Sequence, residues 1–169
     1  SHRGCCGAEE NTGDGAGILI QIPHKFFSQA CKKEGFELPQ PLRYGAGMLF
    51  LPRDKKQRAV CEKVLTEVAL KEGQTVLGFR DVPYDDASIG QTAKDCMPYF
   101  KQVFIARDDR IADDMDFERK LYIIRRITEK RLKELGIPFY AASLSSRTIV
   151  YKGMLMAEQV PLFFTDLAD

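Results

Sequence analysis

"GAGMLFLPRDKKQRAVCEKVLTEVALKEGQTVLGFRDVP" (45–83) carries the reading that decides the fold. Its first eight residues form an apolar run closed by Pro52, a strand of the buried type. Asp54 is placed to cap a helix. In that helix Cys61, Val64, Leu65 and Val68 fall at i, i+3, i+4 and i+7, one turn-by-turn apolar face. Gly73 stops it, and residues 75–83 read as a second strand. Strand, helix and strand within forty residues open a β-α-β order.

Downstream the order continues. "KQVFIAR" (101–107) reads as a third strand after a polar loop from Tyr84 to about Met97. A long helix is expected from about Asp116, with Asp113, Asp114 and Glu118 at its start. Arg125, Arg126, Lys130, Arg131 and Lys133 gather towards its end, the charge order that a helix dipole favours. Phe117, Leu121, Ile124 and Ile127 make the expected inner stripe, continued by Leu132 and Leu135, before Gly136 and Pro138 end the helix. "FYAASLSSRTIVYKGML" (139–155) supplies one or two strands, and "MAEQVPLFFTDL" (156–167) a short terminal helix. The order β-α-β-β-α-β over 45–152 is the split βαβ arrangement, two helices over one face of an antiparallel sheet, and the class is α+β.

Upstream, "ILIQIP" (18–23) is a β-branched run into a buried strand, followed by a helix with Phe27, Ala30 and Cys31 on one face and Gly35 as its stop. Residues 36–43 read as a linker. The flanking pieces, 1–35 and 153–169, look like parts of another sheet into which the unit is inserted.

Composition narrows the function. The chain has 169 residues, enough for one domain with a real core. A net charge of +1 gives no field that would suggest nucleic acid or an anionic membrane as the main partner. No apolar stretch is long enough to span a bilayer. Five cysteines without CxxC spacing fit reduced thiols in the cytoplasm rather than a disulfide framework or a zinc site.

The candidate chemistry lies in four places. The opening loop "SHRGCCGAEENTGDGAG" (1–17) surrounds Asp14 with Gly13, Gly15 and Gly17. A phosphate cradle is a weak reading, because such loops follow a strand and open a helix, whereas this one precedes a strand. Cys5 and Cys6, beside His2 and Arg3, are candidate thiol nucleophiles that lack an evident base. Asp108, Asp109, Asp113, Asp114 and Asp116 do not follow the spacing of a calcium loop and read as a solvated helix start. "SLSSRT" (143–148), with Ser145, Ser146 and Arg147, either lines a polar pocket or bonds an edge strand.

Taken together, "HRG" (2–4), "TGDGAGILIQIP" (12–23), "FLPRD" (50–54) and above all "SLSSRTIVYKGML" (143–155) resemble the large-subunit glutamine-hydrolysing domain of glutamate synthases. HRG followed by DGAG is also similar to the HRG-x-D-S-A-G pattern of class II glutamine amidotransferases. Gly15 stands where that wider family has Ser, and the stretch between Gly4 and Asp14 is longer. The resemblance implies an N-terminal-nucleophile fold, an αββα sandwich of which 1–169 is a part. It implies an N-terminal cysteine that attacks the glutamine amide, with its own α-amino group as base, and an Asn-Gly pair that stabilises the oxyanion. In the family that cysteine lies upstream of HRG and the Asn-Gly pair downstream of YKGML, so this chain alone is expected to be inactive. Arg3, Asp14 and Gly15 are the candidates for a loop that closes over glutamine.

The same resemblance implies ammonia supply to reductive amination of 2-oxoglutarate. FMN and an iron–sulfur cluster are expected in other domains of the parent enzyme, and no cofactor in this chain. The implied partners are those domains and a small subunit or ferredoxin, with self-association through open sheet edges as a further expectation. The competing readings are a non-catalytic split-βαβ assembly module and an independent thiol enzyme using Cys5 or Cys6.

Overall fold

The computed structural model describes residues 17–84, 97–152 and 166. Its elements are β1 (Gly17–Gln21), α1 (His24–Lys33), β2 (Tyr44–Leu51), α2 (Lys55–Lys71), β3 (Thr75–Asp81), β4 (Tyr99–Ala106), α3 (Asp114–Glu134), β5 (Tyr140–Ser145) and β6 (Thr148–Lys152). Among the described residues β3, β4, β2 and β5 form one sheet in that order, every neighbour antiparallel. This is the expected α+β split βαβ arrangement: β3 is reached from β2 across α2, and β4 slots between them.

Alternation along β2 divides the core in two. Ala46 and Met48 point to one face, Leu49 and Leu51 to the other. On the second face α2 and α3 press Cys61, Val64, Leu65, Phe117, Leu121 and Ile124 onto Val103 and Ile105. The approach is close: a Cβ at Gly45 would lie 2.6 Å from a Leu121 methyl carbon. Asp54 caps α2 as the sequence predicts, accepting from the Gln57 N–H at 2.9 Å. Gly73 and Gly136 take positive φ just past their helices, and so does Gly35 after α1.

Two expectations change at α3. The helix begins at Asp114, two residues early, because Asp113 accepts from the Met115 N–H and so caps it. The buried stripe is Phe117, Leu121, Ile124, Thr128 and Leu132, with Ile127 only half-buried. Leu135 does not continue the stripe. It is the C-cap residue beyond the last turn and 60% exposed.

The opposite face of the sheet is covered by α1 and a two-stranded ribbon, β1 with β6. Phe27 of α1 meets Phe104 edge-on with ring centres 5.3 Å apart, and Cys31 is buried beside it. The stretch 139–155 therefore contains two strands. β5 finishes the large sheet, and after Ser146 and Arg147 the chain enters β6 to pair with β1. The expected terminal helix over 156–167 lies outside the described residues apart from Asp166.

Candidate functional site

Arg3, Asp14 and Gly15 lie outside the described residues, as do Cys5 and Cys6. What the structure describes is the frame that receives them. β1 is one-faced rather than buried: Ile18 and Ile20 pack on the core, while Leu19 is 65% exposed. Its first residue, Gly17, is the register partner of Lys152, the last residue of β6. The "TGDGAG" loop and the "YKGML" stretch therefore join the ribbon at the same end.

Beneath the ribbon lies a polar group buried between the two layers. Arg80 of β3 donates to Asp166 at 3.0 and 3.3 Å and to the Gln102 side-chain oxygen at 2.6 Å. Tyr151 of β6 donates to Asp166 at 2.7 Å and accepts from Gln102 at 3.0 Å. The Arg80 and Asp166 side chains are 8% and 4% exposed. Burial alone would lower the Arg80 pKa, but the hydrogen bond and charge of Asp166 outweigh it and the guanidinium stays charged. The Tyr151 phenol is pushed up by burial and by the same carboxylate. Composition and periodicity do not point to this network. Its only trace in the sequence is Arg80 and Gln102 at positions where strand alternation demands an apolar residue.

"SLSSRT" is organised by α3. Ser145 Oγ donates to Glu118 at 2.9 Å, and the Ser146 N–H and hydroxyl both donate to the other Glu118 oxygen at 2.6 Å. Ser145 Oγ in turn accepts from the Arg147 N–H at 3.0 Å, and Ser143 Oγ accepts from the Val150 N–H at 2.9 Å. The serines thus shape the crossing from one sheet to the other. At the same place Arg147 and Thr148 border a cavity of about 430 Å³ that also touches Ile22, His24, Leu42 and Tyr44. It sits at the Gln21 end of β1, opposite the Gly17 end.

The acidic cluster is matched to arginines. Asp109 pairs with Arg43 at 3.0 Å and Asp114 with Arg107 at 2.6 Å. Hydrogen bonds from Arg110 hold the Asp108 carboxyl down at about 2. The two described cysteines are not nucleophiles: burial pushes the Cys31 thiol up to about 12 and the Cys61 thiol up to about 11. They also lie on opposite faces of the sheet, in separate cores, and do not fit ligation of one iron–sulfur cluster.

The model of the glutamine amidotransferases class-II family matches residues 1–169. The chain is 46% identical over 168 residues to the glutamate synthase [NADPH] large chain of Bacillus subtilis (strain 168), covering 99% of this chain and 11% of that one. It is 43% identical over 172 residues to the chloroplastic ferredoxin-dependent glutamate synthase 2 of Arabidopsis thaliana, covering 99% and 10%. With the glutamate synthase [NADPH] large chain of Azospirillum brasilense the identity is 39% over 170 residues, covering 99% and 11%. The chain spans about a tenth of the length of the curated relatives it matches. A family match that runs from the first residue to the last, through both strands of the ribbon, leaves one assignment: the chain belongs to the class II glutamine amidotransferases.

Proposed function

We propose that this chain is part of the glutaminase domain of a glutamate synthase, which hydrolyses glutamine to glutamate and passes ammonia to the reductive amination of 2-oxoglutarate. The observation that carries the reading is the antiparallel pairing of Gly17–Gln21 with Thr148–Lys152, which lays the described parts of the two family motifs side by side. In this reading Arg3, Asp14 and Gly15 belong to a loop that closes over glutamine there. The nucleophile is a cysteine preceding HRG, with its α-amino group as base, so that thioester formation and hydrolysis both use one residue. The flavin and iron–sulfur cluster of the synthase reaction belong to other parts of the polypeptide. Relatives named for NADPH and for ferredoxin leave both electron donors open. No helix among the described residues is long and apolar enough to cross a membrane, and we place the domain in the cytoplasm.

Alkylation by 6-diazo-5-oxo-norleucine, mapped by peptide mass, tests the assignment. Residues 1–169 alone are expected to show no stoichiometric adduct at Cys5, Cys6, Cys31, Cys61 or Cys96. A polypeptide extended upstream of HRG is expected to label at its N-terminal cysteine. A glutamine-protectable adduct on Cys5 or Cys6 sinks this account of the nucleophile and favours the independent thiol enzyme.

A further inference from the structure

We propose that the cavity between the Gln21 end of the ribbon and the turn before β2 is a binding site for a small monocarboxylic acid with a compact apolar body. Its volume, about 430 Å³, lies within the range of small-molecule sites. Ile22, Leu42 and the Tyr44 ring give it apolar walls. Tyr44 is fully buried, and its hydroxyl lies 2.8 Å from His24 Nδ1, which fixes the imidazole at the rim.

Arg147 is the guanidinium at the cavity's edge that no described carboxylate binds directly, although Asp114 and Glu118 lie in its neighbourhood. Arg43 and Arg107 are matched by Asp109 and Asp114. Arg147, which borders the cavity, is held by its backbone on both sides: its N–H donates to Ser145 Oγ, and its carbonyl accepts from the Ile22 N–H at 2.9 Å. Among the described residues its side chain makes no hydrogen bond and no ion pair at contact distance, and acts on Asp114 only through its charge, so a fixed main chain presents a guanidinium fork with open donor positions. A guanidinium takes a carboxylate through two parallel hydrogen bonds. A single guanidinium with the Asp114 and Glu118 carboxylates close by suits one carboxylate, and those same carboxylates disfavour a phosphate dianion.

Leu42 supplies the second argument. The Arg43 N–H donates to the Gln40 carbonyl at 3.0 Å, closing a turn in which Leu42 has φ 70°. Gly or Asn takes that conformation cheaply, and Leu does not. The strained backbone is held from below, because Arg107 donates to the Leu42 carbonyl at 3.1 Å. A leucine kept in a glycine's place forms the cavity wall, and such strain collects where it serves a site. Along β1 the site lies about 13 Å from the end that receives the glycine loop. It is therefore a second site, and it stands or falls independently of the glutaminase reading.

The test is an NMR titration of the full chain with 4-methylpentanoate, following His24 and Leu42, beside its neutral amide and inorganic phosphate. The acid is expected to bind saturably in the millimolar range. Affinity should fall roughly tenfold for the amide and for Arg147→Gln, the loss of one charge-assisted pair. Leu42→Ala is expected to weaken the acid while Arg147 remains, because the apolar wall is gone. Equal binding of acid and amide, an unchanged Arg147→Gln variant, tighter binding of phosphate or no saturation would each overturn the proposal.

Discussion

Thr128 carries the one buried side-chain polar atom without a hydrogen-bond partner among the described residues. It sits in the α3 stripe between Ile124 and Leu132, where the helix period demands an apolar group. Thr128→Val keeps the shape and removes the unsatisfied hydroxyl. It is expected to raise stability by about 1 kcal/mol, read from urea denaturation. The buried thiols set a pH dependence. Their pKa values are raised by burial from about 9 to about 12 at Cys31 and about 11 at Cys61. A raised pKa favours the protonated form in the folded state, so this contribution is full below pH 9 and is lost as pH climbs towards 11–12. Cys31→Ala and Cys61→Ala should each be less stable than the parent at pH 7.5, with a flatter decline in urea midpoint up to pH 10.5. Single residues were legible in the sequence where they obey a local rule. Asp54, Gly73 and Gly136 are read from chain-local chemistry, and all three act as expected. Arg80, Gln102 and Glu118 are not, because each is defined by a partner distant in sequence.

At the scale of elements, α3 does more than cover the sheet. Glu118, one turn in, gathers three donors from Ser145 and Ser146 and so fixes the place where the chain leaves β5 for β6. Glu118→Ala is expected to cost about 2–3 kcal/mol, since three donors lose a charged acceptor. Glu118→Gln should recover part of that, and both effects are measured by chemical denaturation. A companion loss of amide-exchange protection in β6 would tie the effect to the crossing. The strands and helices of the split βαβ unit were legible because apolar period, caps and glycine stops agree over its whole length. The division of 139–155 into two strands was not fixed by pattern. Ser and Thr are at home in an edge strand and in a turn alike, and the break at Ser146 and Arg147 is made by Glu118 from another element.

For the whole molecule, the decisive contact is the buried network that joins β3, β4, β6 and Asp166. Arg80→Leu leaves the Asp166 carboxylate buried without its cation and should cost about 3–5 kcal/mol. The double variant Arg80→Leu with Asp166→Leu should regain most of it, because a matched apolar pair replaces a matched ionic one. A double variant as unstable as the single one would show that the geometry, not the charge, is what matters; urea midpoints decide. The fold class and the family were legible at this scale, the first from periodicity and the second from motifs spread along the chain. The candidate site was legible only as a stretch of sequence, since its neighbours are set by the Gly17–Lys152 register. The ribbon's other end has a different consequence. Gln21 faces Thr148, so everything from Ile22 to Arg147 is an excursion that departs and returns at adjacent points. Topologically it resembles a cassette, replaceable by a tight hairpin. Energetically it is a foundation: Ile18, Ile20, Ile149 and Tyr151 lean on it, and a two-stranded ribbon without such a base is at best marginally stable in water. Grafting the two motif-bearing strands onto a foreign scaffold should therefore succeed only where that scaffold offers an apolar floor of matching shape.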